Sequence, residues 1–130
     1  MKFVKIIATT FTIAMLAIGI SSECNAKAYG SVEHPIADFE NQISQGIVIL
    51  DFFATWCPPC RRFSPVFEKA AANHTDILFI KIDVDKHENL VTEYGVRSMP
   101  TIIVLKDGVV VKTKTGYMSS KQFDKWISSI

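Results

Sequence analysis

Cys57 and Cys60, which flank two prolines in Trp56-Cys57-Pro58-Pro59-Cys60, are the residues of this chain whose types and spacing point most directly to chemistry. One thiolate can attack a foreign disulfide, and a second thiol held close by can resolve the mixed disulfide that forms. Two intervening residues in the first turn of a helix supply that closeness. Cys57 falls where such a helix is capped, so unpaired N–H groups and the positive end of the helix dipole favour its thiolate. Cys57 is therefore the attacking group and Cys60 the resolving one. Pro58 and Pro59 suit a first turn, where an N–H has no helical partner to lose and φ is near the value proline imposes. They leave the Cys60 amide as the donor best placed to reach a Cys57 thiolate. Arg61 and Arg62 follow, each either adding positive potential or simply solvated on the helix.

Two other uses of the cysteine pair fit less well. A zinc site wants a further Cys or His pair at ligand spacing, and Cys24, His34, His74 and His87 do not provide one. No metal is expected. A purely structural bridge over two residues closes too small a loop to stabilise much.

The elements that must position the dithiol are readable on either side of it. Residues 47–54, IVILDFFA, form an apolar run suited to a strand covered on both faces. The helix starting at Cys57 turns Phe63, Val66, Phe67 and Ala70 inward, and a strand over 77–84 completes a right-handed parallel crossover. Upstream lie a short edge strand over 29–33 and a helix over 35–44, with Ile36, Phe39 and Ile43 on one side. Downstream comes a short helix over 86–94 ended by Gly95. A strand over 101–105, an Asp107-Gly108 hairpin turn and a strand over 109–115 follow. The last helix has Ser119 and Gln122 as a capping box and Phe123, Trp126, Ile127 and Ile130 as its core face.

Composition allows one small domain behind a leader. Residues 1–26 have the parts of a secretory signal: Lys2 and Lys5, an apolar stretch over 6–20, then Ser21-Ser22-Glu23 and Ala26. The domain is expected over 27–130, behind a leader cleaved after Ala26 or Ala28, either of which removes Cys24; the alternative is an uncleaved membrane anchor. Loss of Lys2, Lys5 and Glu23 takes the formal charge from +1 to zero, which gives no reason to expect nucleic acid or an anionic membrane as partner. The expected location is the periplasm or outside the cell, where disulfides persist.

The chain resembles the thioredoxin family over about its last hundred residues. The resemblance rests on Asp51 and Phe52 before WCPPC, Pro65 in the following helix, Lys81 and Asp83, Met99-Pro100-Thr101, and Gly116. Thioredoxins usually carry Gly where this chain has Pro58, and WCPPCR is locally similar to tryparedoxin and nucleoredoxin active sites. The resemblance implies an α/β fold of thioredoxin type, a mixed sheet flanked by helices on both faces. It also implies a buried Asp51 beneath the dithiol, its pKa raised by desolvation, accepting the Cys60 proton with Lys81 as its partner; a partly solvated Asp51 at a strand end is the alternative. A cis peptide at Pro100 is implied too, presenting the Met99 backbone to a bound peptide. Trp56, Pro58, Pro59, Met99, Pro100 and Gly116 then make up the substrate surface, although Gly116 could equally just end a strand.

The expected function is an exported thiol-disulfide oxidoreductase that reduces protein disulfides. It needs no cofactor and works as a monomer with a thiol-disulfide electron donor or acceptor, in the membrane or free. A disulfide oxidase or isomerase and a non-catalytic binding module are the alternatives. The absence of a large insertion between 84 and 99 is a weak argument against a DsbA-like oxidase, which carries a helical domain.

Overall fold

The computed structural model describes residues 30, 31 and 36–130. The leader, its cleavage points and His34 lie outside the described residues. The elements are β1 (Gly30–Ser31), α1 (Ile36–Ile43), β2 (Ile47–Phe53), α2 (Pro58–Asn73), β3 (Leu78–Asp83), α3 (Glu88–Glu93), β4 (Thr101–Lys106), β5 (Val109–Thr115) and α4 (Ser120–Ile127). They build a five-stranded sheet in the order β1-β3-β2-β4-β5. β1, β3 and β2 pair in parallel, whereas β2 with β4 and β4 with β5 pair antiparallel.

Strand alternation divides the core into two layers. Ile49 on β2, Phe79 on β3, and Ile102 and Val104 on β4 pack against Phe63, Phe67, Ala70 and Ala71 of α2 and Phe123 and Ile127 of α4. Val48, Leu50 and Phe52 point the other way, with Ile80, Ile82, Ile103 and Leu105, onto Phe39 and Ile43 of α1 and Leu90 of α3. β2 is covered on both sides, which explains its nearly unbroken apolar sequence. Phe67 is the hub of the first layer: its ring lies 6.0 Å from Phe63, 5.2 Å from Phe79 and 6.1 Å from Phe123, centroid to centroid.

Local signals behave as their chemistry requires. Asp107 and Gly108 both have positive φ, 50° and 79°, the type I′ geometry that matches the twist of a two-residue hairpin. α3 ends in a Schellman arrangement, with Gly95 at φ 63°, Val96 N–H donating to Val91 O at 2.9 Å and Gly95 N–H to Thr92 O at 3.2 Å. The capping box of α4 forms in both directions between Ser119 and Gln122.

Three expectations need correction. Ile130 is not core: α4 stops at Ile127, so the helical period no longer applies, and Ile130 is 37 % exposed. Trp126 packs on the core only partly, with its ring beside the Lys112 ammonium at 5.2 Å. The short helix starts at Glu88 rather than 86, because the Lys86 and His87 amides turn back to Asp83 O. No helix among the described residues is long and apolar enough to cross a membrane.

Phe67→Ala should cost about 3–5 kcal/mol, since three ring contacts are lost and a packed layer collapses only partly. Urea unfolding would show this as a lower midpoint at unchanged slope; an unshifted midpoint would mean that the aromatic layer is not the core of the fold.

Candidate active site

β2 ends at Phe53 and the chain turns through Thr55 and Trp56 into α2, so Cys57 stands at the N-cap with φ −92° and ψ 110°. Its amide donates to Ala54 O at 3.2 Å, and its carbonyl accepts the Arg61 amide at 3.2 Å as the first helical bond. Pro58 and Pro59 occupy the first two helical positions. The first free donor of the helix is then the Cys60 N–H, 3.4 Å from Cys57 Sγ. Cys57 and Cys60 are joined as a disulfide with their Cα atoms 5.3 Å apart. Both are buried, at 5 % and 3 % exposure, in a small cluster with Ala54, edged by Phe53, Val84 and Met99.

The loop before β4 closes over this pair. The Met99–Pro100 peptide is cis, and the Met99 carbonyl oxygen lies 3.7 Å from Cys57 Sγ. The Gly116 amide donates to Pro100 O at 2.8 Å, and Thr101 Oγ1 donates to Ser98 O at 2.6 Å. A Cβ on Gly116 would meet nothing within 4 Å, so what the position demands of its residue is the φ of +93°.

Asp51 points to the α2 side of β2, by alternation with Ile49, and is 1 % exposed. Its Oδ1 has no hydrogen-bond partner among the described residues. Burial pushes its pKa up to about 7, against the pull of the Lys81 charge. At 1 % exposure, Asp51 is not the partly solvated carboxylate of the alternative reading. Lys81 stands opposite Asp51 in the β2–β3 register, but its long stem carries the ammonium to α2, where it donates to Ser64 Oγ and lies 4.7 Å from the centre of the Phe53 ring. The expected partnership is thus one of charge at a distance rather than of a closed hydrogen bond. A cleft of about 220 Å³ lined by Phe53, Ala54, Thr55, Cys60, Arg61, Ser64 and Lys81 opens beside the resolving sulfur.

Two features of the rim were not read from the sequence. Trp56, 63 % exposed, is held by a 2.9 Å bond from Nε1 to Asp85 Oδ2. Because β2 and β3 are parallel neighbours, the turns that follow them lie at the same edge of the sheet, and that was the available signal for Asp85. Arg62 places its guanidinium 5.7 Å from the centre of the Tyr117 ring, a meeting of α2 with the segment after β5 that no local pattern announces. Arg61 is exposed at the mouth of the cleft. Among the described residues, no group of three or more His, Cys, Asp or Glu side chains could hold a metal ion.

Comparison with known proteins identifies the family. The thioredoxin family model matches residues 31–129. The chain is 41 % identical over 93 residues to a thioredoxin of Listeria monocytogenes, spanning 71 % of this chain and 90 % of that one. It is 40 % identical over 91 residues to a Bacillus subtilis thioredoxin, spanning 69 % and 88 %. Among solved structures, Plasmodium falciparum thioredoxin superposes with a TM-score of 0.67 at 38 % identity, over 72 % of this chain and 91 % of that one. The Drosophila thioredoxin Deadhead gives a TM-score of 0.70 at 28 % identity, over 78 % and 99 %.

The buried carboxyl makes stability depend on pH. Folded Asp51 keeps its proton to about pH 7, whereas the unfolded chain releases it near pH 3.9. Its contribution is complete below the lower value and is lost as pH rises through the upper one, by on the order of 4 kcal/mol. Asp51→Asn cannot ionise and should escape that loss, becoming the more stable protein at about pH 8 and losing its advantage toward about pH 4. Urea unfolding of both proteins across this range checks it; parallel curves would show that the carboxyl titrates alike in the folded and unfolded chains.

Proposed function

The chain belongs to the thioredoxin family and is a disulfide oxidoreductase, and from that premise we propose that it works outside the cytoplasm as a reductant of protein disulfides. The observation that carries the chemistry is the Cys57 sulfur at the N-cap of α2, with the Cys60 amide on it and an Asp51 carboxyl buried on the same side of the sheet.

In the reduced protein the Cys57 thiolate attacks one sulfur of a substrate disulfide. That S–S bond breaks, a mixed disulfide forms, and the departing sulfur leaves as a thiolate that takes a proton from water. Cys60 then gives its thiol proton to Asp51, directly or through water in the adjoining cleft, and attacks Cys57 Sγ. The mixed disulfide breaks, the second substrate sulfur leaves, and the Cys57–Cys60 disulfide remains. Two electrons have passed to the substrate, and an external dithiol donor, free or membrane-bound, returns them. A carboxyl pKa near the working pH suits a group that must accept and then release a proton.

Substrate docks on exposed Trp56 and on the Met99 backbone beside cis Pro100, with Pro58, Pro59 and Gly116 framing the approach. Recognition through backbone is tolerant of sequence, so a broad range of disulfide-containing proteins is the substrate class. Export is supported by the signal-like leader, with Lys2 and Lys5 ahead of the apolar stretch and Ala26 and Ala28 as cleavage points. The mature protein would begin at Lys27 or Tyr29.

Cys57→Ser should lose all disulfide reduction, whereas Cys60→Ser should accumulate substrate as a mixed disulfide on Cys57, visible by intact mass. Normal turnover by Cys57→Ser would overturn Cys57 as the attacking thiol, whereas a partner complex that keeps its activity after loss of both cysteines would point to a binding role for the fold. The Cys57/Cys60 potential, set against a glutathione or dithiothreitol series, tests direction: a value near the roughly −270 mV of thioredoxins means a reductase, and one near the roughly −120 mV of DsbA means a disulfide donor. Secretion of the full-length chain from a host cell, with the N-terminus of the product read by mass, tests the location.

A further inference from the structure

Lys81 stands opposite Asp51 in the register of β2 and β3, yet its ammonium is bound on α2. Three features hold it there. It donates to Ser64 Oγ, it lies over the Phe53 ring, and Ser64 in turn donates to Glu68 Oε1 at 3.1 Å, one helical turn further on. A serine hydroxyl has a single proton. Given to Glu68, that proton leaves the Ser64 oxygen as an acceptor facing Lys81, so the order of donation along Lys81, Ser64 and Glu68 is settled. Meanwhile Asp51 Oδ1, on the same side of the sheet, has no hydrogen-bond partner among the described residues.

We propose that Ser64, backed by Glu68, is a positioning residue for thiol-disulfide exchange, which holds the Lys81 ammonium on α2 and so keeps it from closing on the Asp51 carboxyl. The inference rests on the reading of Asp51 as the proton acceptor for Cys60. Other groups around the carboxyl do not take over this part. From β3, Asp83 accepts the Asp85 amide at 3.0 Å; from β4, the residue opposite Asp51 is Ile102; from α4, Phe123 packs on this layer. α2 contributes Cys60, and Arg61 at the mouth of the cleft. Lys81 is the opposing influence on the Asp51 proton, desolvation being the larger one, so the place where its charge is held sets how far the carboxyl is returned toward its ordinary value. A Lys81 released from α2 would find in Oδ1 an acceptor with nothing bound to it, and a closed pair would make Asp51 a weaker base.

The test is a 13C NMR titration of the Asp51 carboxyl in the oxidised protein, together with the pH profile of insulin disulfide reduction. Ser64→Ala should lower the Asp51 midpoint by about one unit or more, as for a carboxyl gaining an adjacent cation, and Ser64→Thr should restore it. In a Lys81→Met background Ser64→Ala should move nothing, because the tether has no cation to hold; this non-additivity separates positioning from a local packing effect. An unmoved midpoint in Ser64→Ala, or an equal shift with and without Lys81, overturns the tether. A midpoint that moves while the acid limb of the turnover profile stays in place overturns the role of Asp51 in the reaction, and with it Ser64's part there.

Discussion

Strand β2 is hydrogen-bonded along both edges, to β3 in parallel and to β4 antiparallel, and is covered by helices on both faces. That placement sets the chemistry at its end. A strand held in this way delivers Cys57 to one point above the sheet, and its side chains from Val48 to Phe52 are removed from water. Asp51 is the exception in an otherwise apolar strand, and its raised pKa follows from where it sits more than from what it touches. The cost of burying it, on the order of 4 kcal/mol once ionised, is a substantial part of the 5–15 kcal/mol by which small domains are usually stable. Cores such as the Phe63, Phe67, Phe79 and Phe123 layer directly around α2 offset costs of this size.

At the N-terminus of α2 the two prolines concentrate the stabilisation of the Cys57 sulfur. With no N–H at Pro58 or Pro59, the Cys60 amide is the first donor that the helix can offer. A hydrogen bond to a charged acceptor contributes roughly 1.5–3 kcal/mol, and a helix dipole up to about 2 kcal/mol at a partly buried terminus. At the buried Cys57 sulfur the two effects are of similar size and act together. The same amide belongs to the resolving cysteine, so attack and resolution share one rigid turn.

Much of the fold was legible because its signals are local. A cysteine before two prolines marks a helix start, Asp107-Gly108 marks a type I′ turn, Ser119 and Gln122 mark a cap, and an apolar run with one carboxylate marks a central strand. Each depends on atoms a few residues apart, so the chain could be parsed without its partners. Extrapolated periodicity was less safe. Ile130 continues the spacing of Phe123 and Ile127, but periodicity has meaning only where the helix persists, and α4 has already ended.

The sequence by itself determined the dithiol, the helix that carries it, the strand beneath it and the order of elements around them. Tertiary structure alone decided which groups meet: Trp56 with Asp85, Arg62 with Tyr117, Gly116 with Pro100, and Lys81 with Ser64 rather than with Asp51. These contacts join residues from different elements, and strand order and register place them. A lysine with two acceptors on one side of a sheet carries no mark in its sequence of which it will use. That choice is made by the distance and direction of each acceptor once α2 has packed, and neither exists until the sheet does.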